Sequence, residues 1–82
     1  MKFQTLAQIK AFMEIAMNGR GPVWAELTDG RSLDLKKESD RYVLIGLMLS
    51  DPDCDPEFFA SDANTQIRMI RFFHDHDERY AA

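Results

Sequence analysis

Apolar positions along the chain repeat with different periods in different stretches. From Thr5 to Met17, Leu6, Ile9, Phe12, Met13, Ala16 and Met17 recur every three or four residues, a spacing that lines one face of an α-helix. Thr5 and Gln8 stand at capping-box spacing, and Asn18-Gly19 offers a left-handed stop. The stretch is predicted as a helix whose Met and Phe stripe enters the core.

Pro22 to Lys37 alternates with the period of a strand on either side of Thr28-Asp29-Gly30. A two-residue turn would mix apolar and charged residues on one face. A three-residue loop with Gly30 in the left-handed position pairs Leu27 with Arg31 and Ala25 with Leu33. Val23, Ala25, Leu27, Leu33 and Leu35 then share one face, and Trp24, Glu26, Ser32 and Asp34 the other. A slip of one residue would invert the pattern, so the three-residue register is preferred.

Tyr42 to Leu49 is a continuous apolar run. Its length, the β-branched Val43 and Ile45, and the interior Gly46 favour a strand, which would need cover on both faces. The alternative is a helix over residues 40–49 capped by Ser39 or Asp40, with the sheet reduced to a hairpin. Asp55-Pro56-Glu57 reads as a helix start, with Asp55 as cap, Pro56 in the first position and a short turn through Phe58-Phe59. A main C-terminal helix then begins near Ser61 or Asp62. Ala63, Ile67, Ile70 and Phe73, flanked by Met69, form its apolar stripe; Phe72 lies to one side and Tyr80 closes it.

These elements predict an α+β fold: one small domain over residues 1–82, ordered α-β-β-β-α. Its three-stranded antiparallel sheet carries both helices on the Val23/Leu33 face. The alternative order is α-β-β-α-α, with 40–49 helical. A chain of 82 residues has room for one core only and buries roughly 60–65% of its unfolded surface. A single cysteine, Cys54, excludes an intrachain disulfide and a four-cysteine zinc site and suits a reducing compartment. Lys2, Lys10 and Glu14 interrupt any apolar leader, and the Tyr42–Leu49 run is far short of the ~20 residues that cross a bilayer. A soluble, cytoplasmic protein with no membrane contact is expected.

The net charge of −4 is unevenly distributed. Lys2, Lys10, Arg20, Arg31 and Lys36 outnumber Glu14, Glu26, Asp29 and Asp34 by one, and residues 37–50 cancel. Residues 51–82 hold three arginines against eight acids. Such a field repels phosphate and attracts basic surfaces.

Candidate chemistry is thin. Asp51, Asp53, Asp55 and Asp62 have positions 1, 3, 5 and 12 of a calcium loop, but Pro56 stands where a glycine is needed and Asp62 replaces the bidentate Glu. His74-Asp75-His76-Asp77-Glu78 sets His74 and Glu78 one helical turn apart and points His76 elsewhere, so no metal site is expected. Cys54 between two aspartates has a raised thiol pKa, no serine has a nucleophile-elbow context, and no glycine-rich loop opens a helix. No enzyme, metal or cofactor is expected.

A surface is the remaining candidate. The expected function is a non-enzymatic acidic protein-binding module that uses the outer sheet face and the acidic loop. Trp24, Glu26, Asp51, Asp53 and Glu57 would meet a partner with a basic or mixed surface. One form is a phage or mobile-element inhibitor that blocks a basic nucleic-acid-handling complex. A homodimer stacked through the outer sheet face is the first alternative. Direct nucleic-acid binding by Lys10, Arg20, Arg31, Lys36 and Lys37 is the second, disfavoured by the surrounding acids.

Overall fold

In the computed structural model, residues 5–51 and 53–76 are described, His76 by its backbone alone. The elements are α1 (Leu6–Asn18), β1 (Val23–Glu26), β2 (Ser32–Asp34), α2 (Glu38–Ser50), β3 (Glu57–Ala60) and α3 (Ala63–His76). β1 is the central strand of an antiparallel sheet ordered β2-β1-β3. The α+β class, the single small domain and the three-stranded antiparallel sheet are as the sequence predicts. The third strand and the number of helices are not.

The N-terminal half follows its pattern closely. The Thr5 hydroxyl accepts the Gln8 amide at 3.2 Å, capping α1, and Ile9, Phe12, Met13 and Ala16 are buried. Ala25 pairs with Leu33, and the Leu27 amide donates to the Arg31 carbonyl at 2.8 Å, so the hairpin has the three-residue loop. Gly30 sits there at φ 94°, a conformation that disfavours a side chain. Val23, Ala25, Leu33 and Leu35 face the core, and Trp24 and Glu26 face away. The helix stop differs from expectation. Gly19 is extended at φ −70°, and the positive φ falls at Gly21. Gly19 serves close approach instead: a Cβ there would stand 2.4 Å from Thr65 Cγ2 on α3. The Gly19 amide donates to the Ala16 carbonyl at 3.3 Å, and the Lys36 ammonium adds to this cap, donating to the carbonyls of Met17, at 3.1 Å, and of Gly19.

Tyr42–Leu49 is a helix, as in the alternative order with residues 40–49 helical, and not the preferred strand. The helix runs from Glu38 to Ser50, 13 residues, too long for a typical strand. Its first turn carries Glu38 and Asp40 at the positive end of the dipole. Neither Ser39 nor Asp40 caps it; Lys37 holds the cap position without a side-chain bond. Asp40 Oδ2 instead accepts the Asp34 amide at 2.8 Å, and Arg41 Nη1 donates to the Leu35 carbonyl at 2.9 Å. These two bonds tie α2 to the edge of β2, and Leu44 inserts into the core.

The sheet keeps three strands because Glu57–Ala60 pairs with β1, and the helix start expected at Asp55-Pro56-Glu57 does not form. Aromatic residues suit a pleated strand, and here Phe58 and Phe59 alternate. Phe58 is buried against Phe12, ring centroids 4.5 Å apart, while Phe59 lies on the other face. The Ser61 amide extends the ladder to the Pro22 carbonyl at 3.0 Å.

α3 starts where expected, with Asp62 Oδ2 accepting the Thr65 amide at 3.0 Å. Its rotation differs. Thr65, Met69, Phe72 and Phe73 are buried, and Ala63, Ile67 and Ile70 are exposed. The Phe72-Phe73 pair decides the phase, both rings packing on Phe12. Phe73 lies on the expected stripe as well, so the rotation is set by burying the Phe72 ring beside it in place of Ile67 and Ile70. Tyr80 lies outside the described residues. Among the described residues no helix is long and apolar enough to cross a membrane.

Candidate interaction surface

The face of the sheet away from the helices is built by the same alternation that builds the core. Strand pairing sets Trp24 opposite Phe59 and Glu26 opposite Glu57. The two rings stack with centroids 5.7 Å apart and an interplanar angle of 22°. Both are half-buried. Trp24 Nε1 donates to Glu26 Oε1 at 3.4 Å, a long bond on an exposed side chain. On the other flank Asp34 is the cross-strand partner of Trp24. The surface is therefore an aromatic pair bordered by Asp34, Glu26 and Glu57. Sequence reasoning places Trp24, Glu26 and Glu57 in the site, and the three do come together. It misses Phe59, because it gives the place of the third strand to residues 42–49. The signal for Phe59 was the Phe-Phe pair, since adjacent aromatics in a strand must face opposite sides.

Asp51 and Asp53 do not join that face. They stand in the α2–β3 connection, where Asp51 Oδ1 accepts the Asp53 amide at 2.9 Å. Both line a small cleft, about 80 Å³, at the hairpin end of the sheet with Asp29, Arg31 and Cys54. A broader groove of about 350 Å³, lined by Thr28, Asp55, Pro56, Glu57, Phe58 and Phe59, adjoins it. Thr28, Asp55 and Pro56 border both. The acidic loop is thus continuous with the outer sheet face around the hairpin tip.

Local electrostatics follow from identifiable contacts. The Arg31 amide and guanidinium hold the Asp29 carboxyl below its ordinary range. Burial raises the Cys54 thiol first, and the Asp51 charge adds to it. The direction matches expectation, although burial, not the flanking aspartates, leads. The Thr65 amide and hydroxyl lower the Asp62 carboxyl. The calcium-loop spacing dissolves for a structural reason. β3 carries Asp62 to the opposite end of a strand from Asp55, and its carboxylate caps α3. His74 Nδ1 lies 3.5 Å from the neighbouring Asp75, both exposed; the His76 side chain, Asp77 and Glu78 are outside the described residues. Among the described residues no group of three or more His, Cys, Asp or Glu side chains is arranged to hold a metal ion.

The basic residues are dispersed. Lys36 is engaged by the end of α1, and Arg31 by Asp29. Arg20 lines a polar groove with Arg68 and Asp62 at the start of α3. Compared with known proteins, the chain matches no family model, no curated protein and no solved structure.

Proposed function

We propose that the chain is a non-enzymatic protein-binding module that engages a basic or mixed surface of another protein through the outer face of its sheet. The observation that carries this reading is the half-buried Trp24–Phe59 stack on the outer face beside two glutamates that are direct cross-strand partners. Like charges opposite one another in a strand pair are destabilising. A lysine or arginine side chain laid across the rings meets both features. The ring faces attract the cation, and a guanidinium can bond the two carboxylates. The adjoining groove and the Asp51/Asp53 loop extend the same acidic character along the bound segment. The reading suits the cytoplasm, where a lone Cys54 stays reduced. An inhibitor of phage or mobile-element origin that covers the basic groove of a nucleic-acid-handling complex is one form of it.

Affinity capture at low salt with mass spectrometry tests the reading, because charge-driven contacts survive there. Capture should fall sharply with Trp24→Ala and with the double reversal Glu26→Lys/Glu57→Lys. Lys substitutions at Asp51 and Asp53 should weaken it less. The same partners recovered undiminished by every variant would refute the assignment of this face.

The alternative readings have less support. Two sheets stacked through this face would bring the Glu26/Glu57 pairs of both copies into one contact, adding repulsion. Nucleic-acid binding would need basic side chains that converge, and two of the five candidates, Arg31 and Lys36, are already bonded within the fold.

A further inference from the structure

The two faces of the Trp24 indole meet different surroundings. Its Nε1 donates to Glu26 Oε1 at 3.4 Å. Glu26 stands two residues along the same strand, so the nitrogen edge of the ring points along β1. Phe59, the cross-strand partner on β3, stacks on one face of the ring. The opposite face is therefore turned toward β2, where the cross-strand partner is the half-buried Asp34. An aspartate is much shorter than a tryptophan, so the indole stands as a wall with the Asp34 carboxylate at its foot and the Glu26 carboxylate at its edge. Asp34 Oδ1 accepts the Lys36 amide at 2.9 Å, and Glu26 Oε1 accepts the indole N–H. The second oxygen of each carboxylate keeps its capacity to accept. Cations near in the chain are turned elsewhere: Arg31 pairs with Asp29, Lys36 reaches the end of α1, and Arg41 bonds the Leu35 carbonyl. Among the described residues neither Asp34 nor Glu26 forms an ion pair.

We propose that this step beside Trp24 is a seat for an arginine side chain of the partner, in preference to a lysine. The proposal rests on the assignment of the outer sheet face made above and names the group that face takes. A guanidinium is planar, with its donors around the rim. Laid against the β2-side face of Trp24, it stacks on the indole while its N–H groups reach Asp34 below and Glu26 beside it. Tryptophan is the best aromatic platform for a cation, and the Phe59 ring behind it supports the indole from the other side. An ammonium is drawn by the same charges, but it is a compact, strongly hydrated point that neither stacks as a plane nor forks between two carboxylates. Glu57 lies on β3, across Glu26 and on the Phe59 side of the indole, so it adds charge to the field and no bond to the seat. Charge thus selects a basic partner, and shape selects arginine among basic residues.

Trp24 is the sole tryptophan of the chain, so its fluorescence reports on the seat directly. The test titrates the full chain at low salt with two end-blocked glycine-serine peptides of equal charge, one carrying a single arginine and the other a single lysine. The arginine peptide should shift the Trp24 emission and bind about five-fold or more tighter than the lysine peptide. Dimethylation of that arginine keeps its charge and blocks forked bonding, and it should remove the margin. These comparisons use the unaltered chain, so loss of fold cannot imitate them. Asp34→Asn keeps an acceptor for the Lys36 amide and removes the charge; it should weaken the arginine peptide about five-fold, and Glu57→Gln by less than about two-fold. Equal affinity for the two peptides, no response of Trp24 to either, or a response sensitive to Glu57→Gln and indifferent to Asp34→Asn would overturn the arginine seat. Any of these with partner capture still dependent on Trp24 leaves the binding role of the face standing. Capture undiminished by Trp24→Ala and by the Glu26/Glu57 reversal removes that role itself, and the seat with it.

Discussion

Gly19 and Thr65 show how one missing side chain sets a helix–helix contact. Thr65 is buried at 3% exposure, and its methyl and hydroxyl both stand under 3 Å from where a Gly19 Cβ would be. Gly19→Ala should therefore destabilise the protein by about 1–3 kcal/mol, the range of an overpacked core substitution. Chemical denaturation checks it. In the Thr65→Ala background most of that penalty should vanish, because both clashing atoms are gone. Asp62 gives a pH signature at the same junction. Its folded pKa is depressed below its ordinary value of 3.8 by the Thr65 amide and hydroxyl. Its contribution is thus complete above that value and is lost as pH falls through the lower folded pKa. Asp62→Ala should lower the melting temperature at neutral pH and flatten its acid-side decline. An undiminished acid-side slope in the variant would assign that slope to other carboxylates. Neither Lys36 as the cap of α1 nor the role of Gly19 was legible in sequence, since each acts across 17 to 46 residues of chain.

Elements were legible in proportion to how far their own pattern could decide them. α1 and the β1–β2 hairpin combine a clear period with correct cap and turn residues, and local and tertiary preferences agree. A run apolar on every side has no period to read, and α2 was misassigned for that reason. Asp40 and Arg41 also bond the backbone at Asp34 and Leu35, contacts that exist only once the hairpin has formed. α3 has two usable stripes, and only packing on Phe12 chooses between them. Truncations should report that choice. Phe72→Ala should cost about 3–5 kcal/mol, whereas Ile67→Ala, at a residue 52% exposed, should stay within about 0.5 kcal/mol. Similar losses at the two sites in urea unfolding would mean that Ile67 is covered. On α2, Leu44→Ala should cost about 2–5 kcal/mol as a cavity opens in the core.

For the whole molecule, two surfaces of opposite character lie on different elements. The outer sheet face combines aromatic rings with carboxylates, and α2 presents an uncharged apolar stripe. Binding through Trp24, Glu26 and Glu57 should weaken steeply as ionic strength rises, since its charges are exposed. Titrating the captured partner over a salt series checks this; capture indifferent to salt would remove the two glutamates from the contact.

The sequence by itself determined the class, the first helix, the hairpin with its register and, through that register, which side of β1 carries Trp24 and Glu26. These follow from steric and periodic rules that act within a few residues. Tertiary structure alone decided that Tyr42–Leu49 is helical, that Phe58-Phe59 completes the sheet, and which way α3 faces. Each of those choices compares two locally acceptable states, and the difference comes from burial against residues distant in the chain. The same comparison placed Phe59 beside Trp24 and left the outer stripe of α2 exposed.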